Sequence, residues 1–236
     1  MTADAILKEL KSLGNEGTKA VLMRHGAREP FFGVKIEYLK KIQKQIKTDQ
    51  ALALALYDSG NSDAMYLAGL ICDPQKMTKA YLNRWVKNAY WYMLAESTVA
   101  PAAAESPFAI ELAQKWIESK KELIAVAGWT TLSHLASIAP DDELDLATID
   151  GLLASVPIAI TTAPNRVRYA MNGFVIAIGS CVIPLQNHAK TVAIGLGKVT
   201  VEMGDTDCKT PVAFDAIAKI QAMGRIGKKR KSALCK

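Results

Sequence analysis

Apolar residues recur at helical spacing along nearly the whole chain, and one stretch carries the pattern furthest: NRVRYAMNGFVIAIGSCVIP, from Asn165 to Pro184. The pattern predicts one long, largely buried helix. Ala163-Pro164 opens it and Pro184 closes it, because proline starts a helix well and cannot continue one. At the helical period, Val167, Met171, Phe174, Ile178 and Val182 form one apolar stripe. Ala170, Gly173, Ala177 and Cys181 form a second stripe of small residues, where a neighbouring helix is expected to come close. The remaining stripe carries Asn165, Arg168 and Asn172, with Arg166 beside its first turn. Unpaired polar burial costs about 1–3 kcal/mol per group, so these four side chains need partners. Phosphate oxygens suit arginine and asparagine; helix ends inside the protein suit them as well.

The same periodicity predicts helices over 4–13, 18–25, 34–46, 49–57, 62–71, 76–87, 89–99, 106–119, 122–138, 143–153, 186–196 and 212–223. Short connections separate them. KVTVEM, over 198–203, is the only clear alternating segment; with the glycine and proline of MGDTDCKTP behind it, it reads as an ordered loop or short hairpin. Leu67-Ala68-Gly69-Leu70, Ala127-Gly128-Trp129 and Asn172-Gly173-Phe174 each set a glycine before a large apolar residue inside an apolar helix. Irregular spacing between the three makes this a degenerate repeat, on the scale of helix pairs of about 40 residues. The fold class expected is all-α, a HEAT-like solenoid whose inner helices line a concave surface, the Asn165 helix among them. Residues 1–224 are expected to form one repeat domain, followed by a basic tail over 225–236.

The composition, 236 residues at 50% hydrophobic, allows a sizeable core. The chain opens on an amphipathic helix, and its longest apolar run is too short for a bilayer, so a soluble, cytoplasmic protein without a membrane partner is expected. Cys72, Cys181, Cys208 and Cys235 are scattered, and His25, His134 and His188 stand near none of them at ligand spacing. No metal site, disulfide framework or cofactor is expected.

The net charge is +6, unevenly placed. Arg225, Lys228, Lys229, Arg230, Lys231 and Lys236 supply all of the excess, leaving the remainder neutral. From residue 161 onward bases outnumber acids, whereas 101–160 carries mostly acids. A polyanion partner held by the C-terminal part follows, with a merely solvated tail as the alternative.

Gly33-Val34 followed by Tyr38-Leu39-Lys40-Lys41-Ile42, the tryptophan-rich segment from Trp85 to Val99, and the arginine-bearing Asn165 helix together resemble the bacterial DNA alkylation repair proteins related to AlkD. The likeness is spread over most of 20–200, and the ending, MGDTDCKTP through GRIGKKRK, is similar to one branch of that superfamily. The resemblance implies a HEAT-like solenoid whose concave basic groove holds duplex DNA by its backbone. In the active glycosylases of the family an aspartate, an arginine and two tryptophans frame the modified nucleotide, without extruding the base. Here Trp91 matches the first tryptophan, the aspartate position falls on Ala95 with Glu96 next to it, the arginine position falls near Ala127, and Phe174 replaces the second tryptophan.

Three functions follow. The first is a DNA-binding member, for duplex, damaged or branched DNA, that lacks the usual chemistry. Arg166, Arg168, Asn172, Lys190, Lys198, Lys209, Arg225, Lys228, Lys229, Arg230 and Lys231 would contact phosphates. The second is an active N-glycosylase for alkylated purines, with Glu96 as the catalytic carboxylate and Trp91 and Phe174 against the sugar. One residue of slip rotates a helical side chain by about 100°, so a helix irregularity near Glu96 is what this second reading requires. The third is a protein-interaction solenoid.

Overall fold

Caps and apolar faces, rather than strand pairing, organise the computed structural model, which describes residues 1–234; Cys235 and Lys236, the end of the expected tail, lie outside the described residues. The chain divides into two compact units. The first comprises Met1–Phe108, together with Met203–Asp207 and the neighbourhood of Leu234; the second comprises Ala109–Glu202 and Cys208–Ala233.

The first unit contains α1 (Ala3–Leu13), α2 (Glu16–Arg24), α3 (Ile36–Ile46), α4 (Gln50–Asp58), α5 (Ser62–Ile71), α6 (Lys79–Asn88), α7 (Tyr92–Leu94) and α8 (Ala100–Ala104). Thr2, Asn15, Asp49, Asn61 and Thr78 cap five of these helices by accepting backbone N–H groups that the helix itself cannot satisfy. Helix α5 is the centre: all ten of its residues are buried, and α1, α3 and α4 pack on it. Between α7 and α8 the backbone widens into a π turn, Ala95–Val99, with the Ala100 N–H bonding the Ala95 carbonyl. Pro101 accounts for it. In a regular helix its ring would press on the carbonyl of Ser97, and the wider turn relieves that clash. The π turn meets α5 closely, since a Cβ at Gly69 would lie 2.8 Å from Thr98 Cγ2.

The second unit contains α9 (Ala109–Ile117), α10 (Glu122–Ile138), α11 (Leu146–Ala159), α12 (Asn165–Cys181), α13 (Gln186–Leu196) and α14 (Ala213–Ala222). Helix α10 packs on α9 and α12, and α12 also packs on α13 and α14. Gly128 permits the α9–α10 crossing, where a Cβ would stand 2.7 Å from the Ile117 nitrogen. Gly173 faces open space, contrary to the close approach expected along its stripe. Gly179 does that work instead, against Ile217 of α14 and Ala189 of α13. Helix α11 runs through Pro157 to Ala159, beyond the expected end; Pro157 is exposed and lies in the last turn. Residues 198–211 form an irregular segment without a strand, so the hairpin alternative is set aside and the ordered loop stands. No single helix among the described residues is long and apolar enough to cross a membrane.

Candidate nucleic-acid interface

The polar stripe of α12 finds most of its partners inside the second unit. Asn165 donates from Nδ2 to the Glu202 carbonyl (2.9 Å) and accepts the Glu202 N–H on Oδ1 (2.8 Å), a reciprocal pair that only an amide side chain can make. Two turns on, Asn172 donates to the Pro211 carbonyl at 2.9 Å. The irregular segment is thereby clasped near both ends by one helix face. Asn172 is 1% exposed and cannot reach a phosphate as placed, which corrects its expected role as a DNA contact.

The two arginines differ from the asparagines. Arg168 donates from Nη2 to Asn165 Oδ1 at 3.3 Å, while its buried Nε has no hydrogen-bond partner. Arg166 lies with its guanidinium carbon 4.1 Å from the centre of the Tyr169 ring, a cation–π arrangement, and its backbone N–H donates to Glu122. Both are half-exposed. Lys198 and Lys209, at either end of the loop, are exposed, and Lys190 donates to Gln221 at 2.6 Å.

The tail is structured over its described residues. Lys229 donates to the Ala136 carbonyl (2.8 Å) and pairs with Asp141 (2.7 Å). The Arg230 backbone N–H donates to the Ser137 carbonyl at 2.8 Å, and its guanidinium reaches Ser137 Oγ and His134 Nδ1. A guanidinium can only donate, so Nδ1 of His134 is the acceptor. The Lys229 ammonium and the Arg230 backbone N–H satisfy carbonyls that the end of α10 leaves unpaired, and the two cations complement its dipole. Arg225, Lys228 and Lys231 stay exposed.

The residues expected around a modified nucleotide are less accessible. Trp91 is 3% exposed and donates from Nε1 to Ser62 Oγ at 2.8 Å. Phe174 is fully buried, edge-on to Trp129 with ring centres 5.2 Å apart. As placed, Phe174 offers no face to a sugar, and Trp91 faces only a partly enclosed cavity of the first unit. Trp91 lies in the first unit and Phe174 in the second. Ala95 is fully buried, and Glu96 is half-buried in the π turn. The helix irregularity that a Glu96 role requires is therefore present at Glu96 itself.

One functional-looking residue escapes the sequence pattern. Asp63, at the start of α5, accepts the backbone N–H groups of Phe32 (2.6 Å), Gly33 (3.1 Å) and Val34 (3.1 Å). This is what fixes the Gly33-Val34 segment. Gly33 has φ of +76°, and a Cβ there would stand 2.8 Å from the Asn15 carbonyl, so the position needs glycine. Burial pushes the Asp63 carboxyl above the usual carboxylate range, against the lowering effect of the three N–H donors. The sequence cue was an acid in an otherwise uncharged helix, which reads equally well as favourable charge at a helix N-terminus. No cluster of metal-ligating side chains occurs among the described residues.

Helices stacked in pairs through close glycine crossings define the class, a HEAT-like helical repeat protein. The chain matches the family described as DNA alkylation repair enzyme over residues 6–182, and it belongs to that family. Uncharacterised proteins of Listeria innocua and Listeria monocytogenes are each 32% identical to it over 225 residues, 93% of this chain and 97% of their own length. A solved structure aligns at a TM-score of 0.90 and 38% identity, covering 98% of each chain. That structure is described as a new family of proteins related to the HEAT-like repeat DNA glycosylases, with affinity for branched DNA structures.

Proposed function

We propose that this protein binds DNA, branched DNA included, through the phosphate backbone, and that it does so without the usual glycosylase chemistry. The observation that carries this reading is the 38% identity, over 98% of both chains, to a protein with affinity for branched DNA structures. The charge distribution supports it. Arg166 and Arg168 on α12, Lys198 and Lys209 at the loop ends, and Arg225, Lys228 and Lys231 in the tail are the groups proposed to meet phosphates. Lys190, Lys229 and Arg230 are engaged within the chain and are proposed to act mainly by holding the second unit together. Phosphate contacts position a protein without reading sequence, so shape is what such an interface would recognise.

The site lacks the groups that the chemistry needs. Ala95 supplies no carboxylate, and Trp91 and Phe174 are core residues. A four-way junction and a linear duplex, titrated by fluorescence anisotropy at 50 and 200 mM salt, test the proposal. With about seven phosphate contacts, one for each group named, log affinity should fall with log salt at a slope near −6. Equal affinity at the two salt concentrations would sink it.

A second reading, an N-glycosylase using Glu96, is favoured by one observation: the π turn re-aims the side chains that follow Ala95. It predicts release of methylated base from alkylated duplex by the wild type and a loss of rate of at least tenfold in Glu96→Gln. No release by the wild type disposes of it.

A further inference from the structure

The first unit carries none of the proposed phosphate contacts, yet it holds a partly enclosed cavity of about 270 Å³. Apolar side chains make most of its wall: Leu22 of α2, Leu39 of α3, and Met93 of α7. Two aromatic rings, Tyr66 and Trp91, are part of it, and Thr18 and Lys35 add polar atoms. A purely apolar cavity of about 150 Å³ already holds benzene, so this one has room for a ring with a short side arm.

Its polar end decides what kind of molecule fits. Ser62 and Asp63 line the cavity. Ser62 Oγ already accepts the Trp91 indole N–H. Asp63 is 5% exposed and takes two backbone N–H groups on Oδ2 and one, from Val34, on Oδ1. A carboxylate offers about four acceptor positions, two on each oxygen, which leaves one open on Oδ1. Among the described residues no cation is paired with Asp63: Lys35, which also lines the cavity, is exposed and forms no ion pair with it, and the nearby Lys19 is engaged with Glu29 at 2.5 Å. A buried anion beside aromatic faces favours a cation twice over, through its charge and through the ring quadrupoles. A neutral apolar guest would leave the open acceptor position on Oδ1 unfilled, and an anion would be repelled by the carboxylate. Burial holds the Asp63 carboxyl above its usual range, and a cationic guest would relieve part of that cost.

We propose that this cavity is a binding site for a small organic monocation, a primary or secondary amine on an aromatic body. The ammonium hydrogen-bonds the open position on Asp63 Oδ1, and the ring lies against Trp91 and Tyr66. Helix α2 controls entry: none of its residues is fully buried, so it is the least firmly held wall.

The test uses the full chain and three probes of one shape: 2-phenylethylamine, 2-phenylethanol and phenylacetate. Calorimetry should give saturable binding of the amine with submillimolar Kd, at least tenfold weaker binding of the alcohol, and none of the carboxylate. Asp63 also holds the Phe32–Val34 backbone, so blocking variants serve better than its removal. Leu22→Trp and Met93→Phe fill the cavity from opposite walls and leave Asp63 and its three N–H donors in place. Each should weaken the amine at least tenfold while the circular dichroism spectrum is kept. Three results would each overturn the site: no saturable binding of the amine, equal binding of the alcohol, or unchanged binding in both folded variants.

Discussion

Each unit of this protein uses a helix to hold a length of irregular backbone, and the two do so with different chemistry. In the first, one carboxylate, Asp63 of α5, gathers three successive N–H groups from Phe32, Gly33 and Val34. In the second, two amides of α12, Asn165 and Asn172, take the Glu202 backbone by both its groups and the Pro211 carbonyl. A carboxylate only accepts, so it suits a turn whose N–H groups converge; an amide gives and takes, so it suits extended backbone that offers both. The difference carries into energy. Three charge-assisted bonds to a buried anion are strong, but the anion's desolvation opposes them. Asn172 has no charge to desolvate, yet its buried Oδ1 lacks a partner, which lowers its net contribution.

The largest effect should therefore come from Asp63→Ala. It orphans three N–H groups at once and should destabilise the protein by about 3–5 kcal/mol, read from the urea midpoint at constant slope. A loss below 1 kcal/mol would mean that the turn is held by packing alone. Asn172→Ala should cost only about 1 kcal/mol, because removing the side chain also removes its unsatisfied oxygen. A larger cost in Asn172→Ala than in Asp63→Ala would invert the comparison. Smaller still are the tail effects, which separate two kinds of basic residue. Lys228→Ala and Lys231→Ala should each reduce the salt slope of DNA binding by about one and leave the urea midpoint unchanged. Lys229→Ala should leave the slope nearly unchanged and lower stability by about 1 kcal/mol, through the lost bond to the Ala136 carbonyl.

How far the sequence foretold these clasps depends on where each partner lies. Three helices were legible to the residue, Ser62–Ile71, Glu122–Ile138 and Gln186–Leu196, the first by its Asn61 cap and the others by the prolines beside them, Pro140 and Pro184. The polar stripe of α12 was legible too, as groups that needed partners. What spacing does not reveal is that the partners, Glu202 and Pro211, sit 37 and 39 residues away on backbone with no periodicity of its own. Phosphate was a natural assignment for Asn172, and burial withdraws it. The tail shows the same limit: Lys229 and Arg230 read as phosphate contacts or solvated charge, because the α10 groups they meet, the Ala136 carbonyl and Ser137, lie 93 residues earlier. The π turn was not foreseen as such, although Pro101 inside a continuing apolar helix is its cause.

The finest test of the comparison is its pH dependence. Burial outweighs the N–H donors of Phe32, Val34 and Gly33, so the folded-state pKa of Asp63 lies above its unfolded value. Folded protein then holds that proton more tightly than unfolded protein. The sign follows from linkage: the Asp63 contribution grows as pH falls through the folded pKa and is complete below the unfolded value, near 4. Glu29 runs the other way. Its hydrogen bonds from Lys19 and from the Phe31 N–H lower its pKa, so its contribution is present above the unfolded pKa and is lost as pH falls through the folded one. Urea titrations of wild type and Asp63→Asn between pH 7 and 4 isolate the first term, because Glu29 is common to both chains. The wild type should gain on the variant as the solution is acidified. A gap that narrows instead would mean that the three N–H bonds outweigh burial, and that the carboxylate clasp, like the amide one, is held without an electrostatic cost.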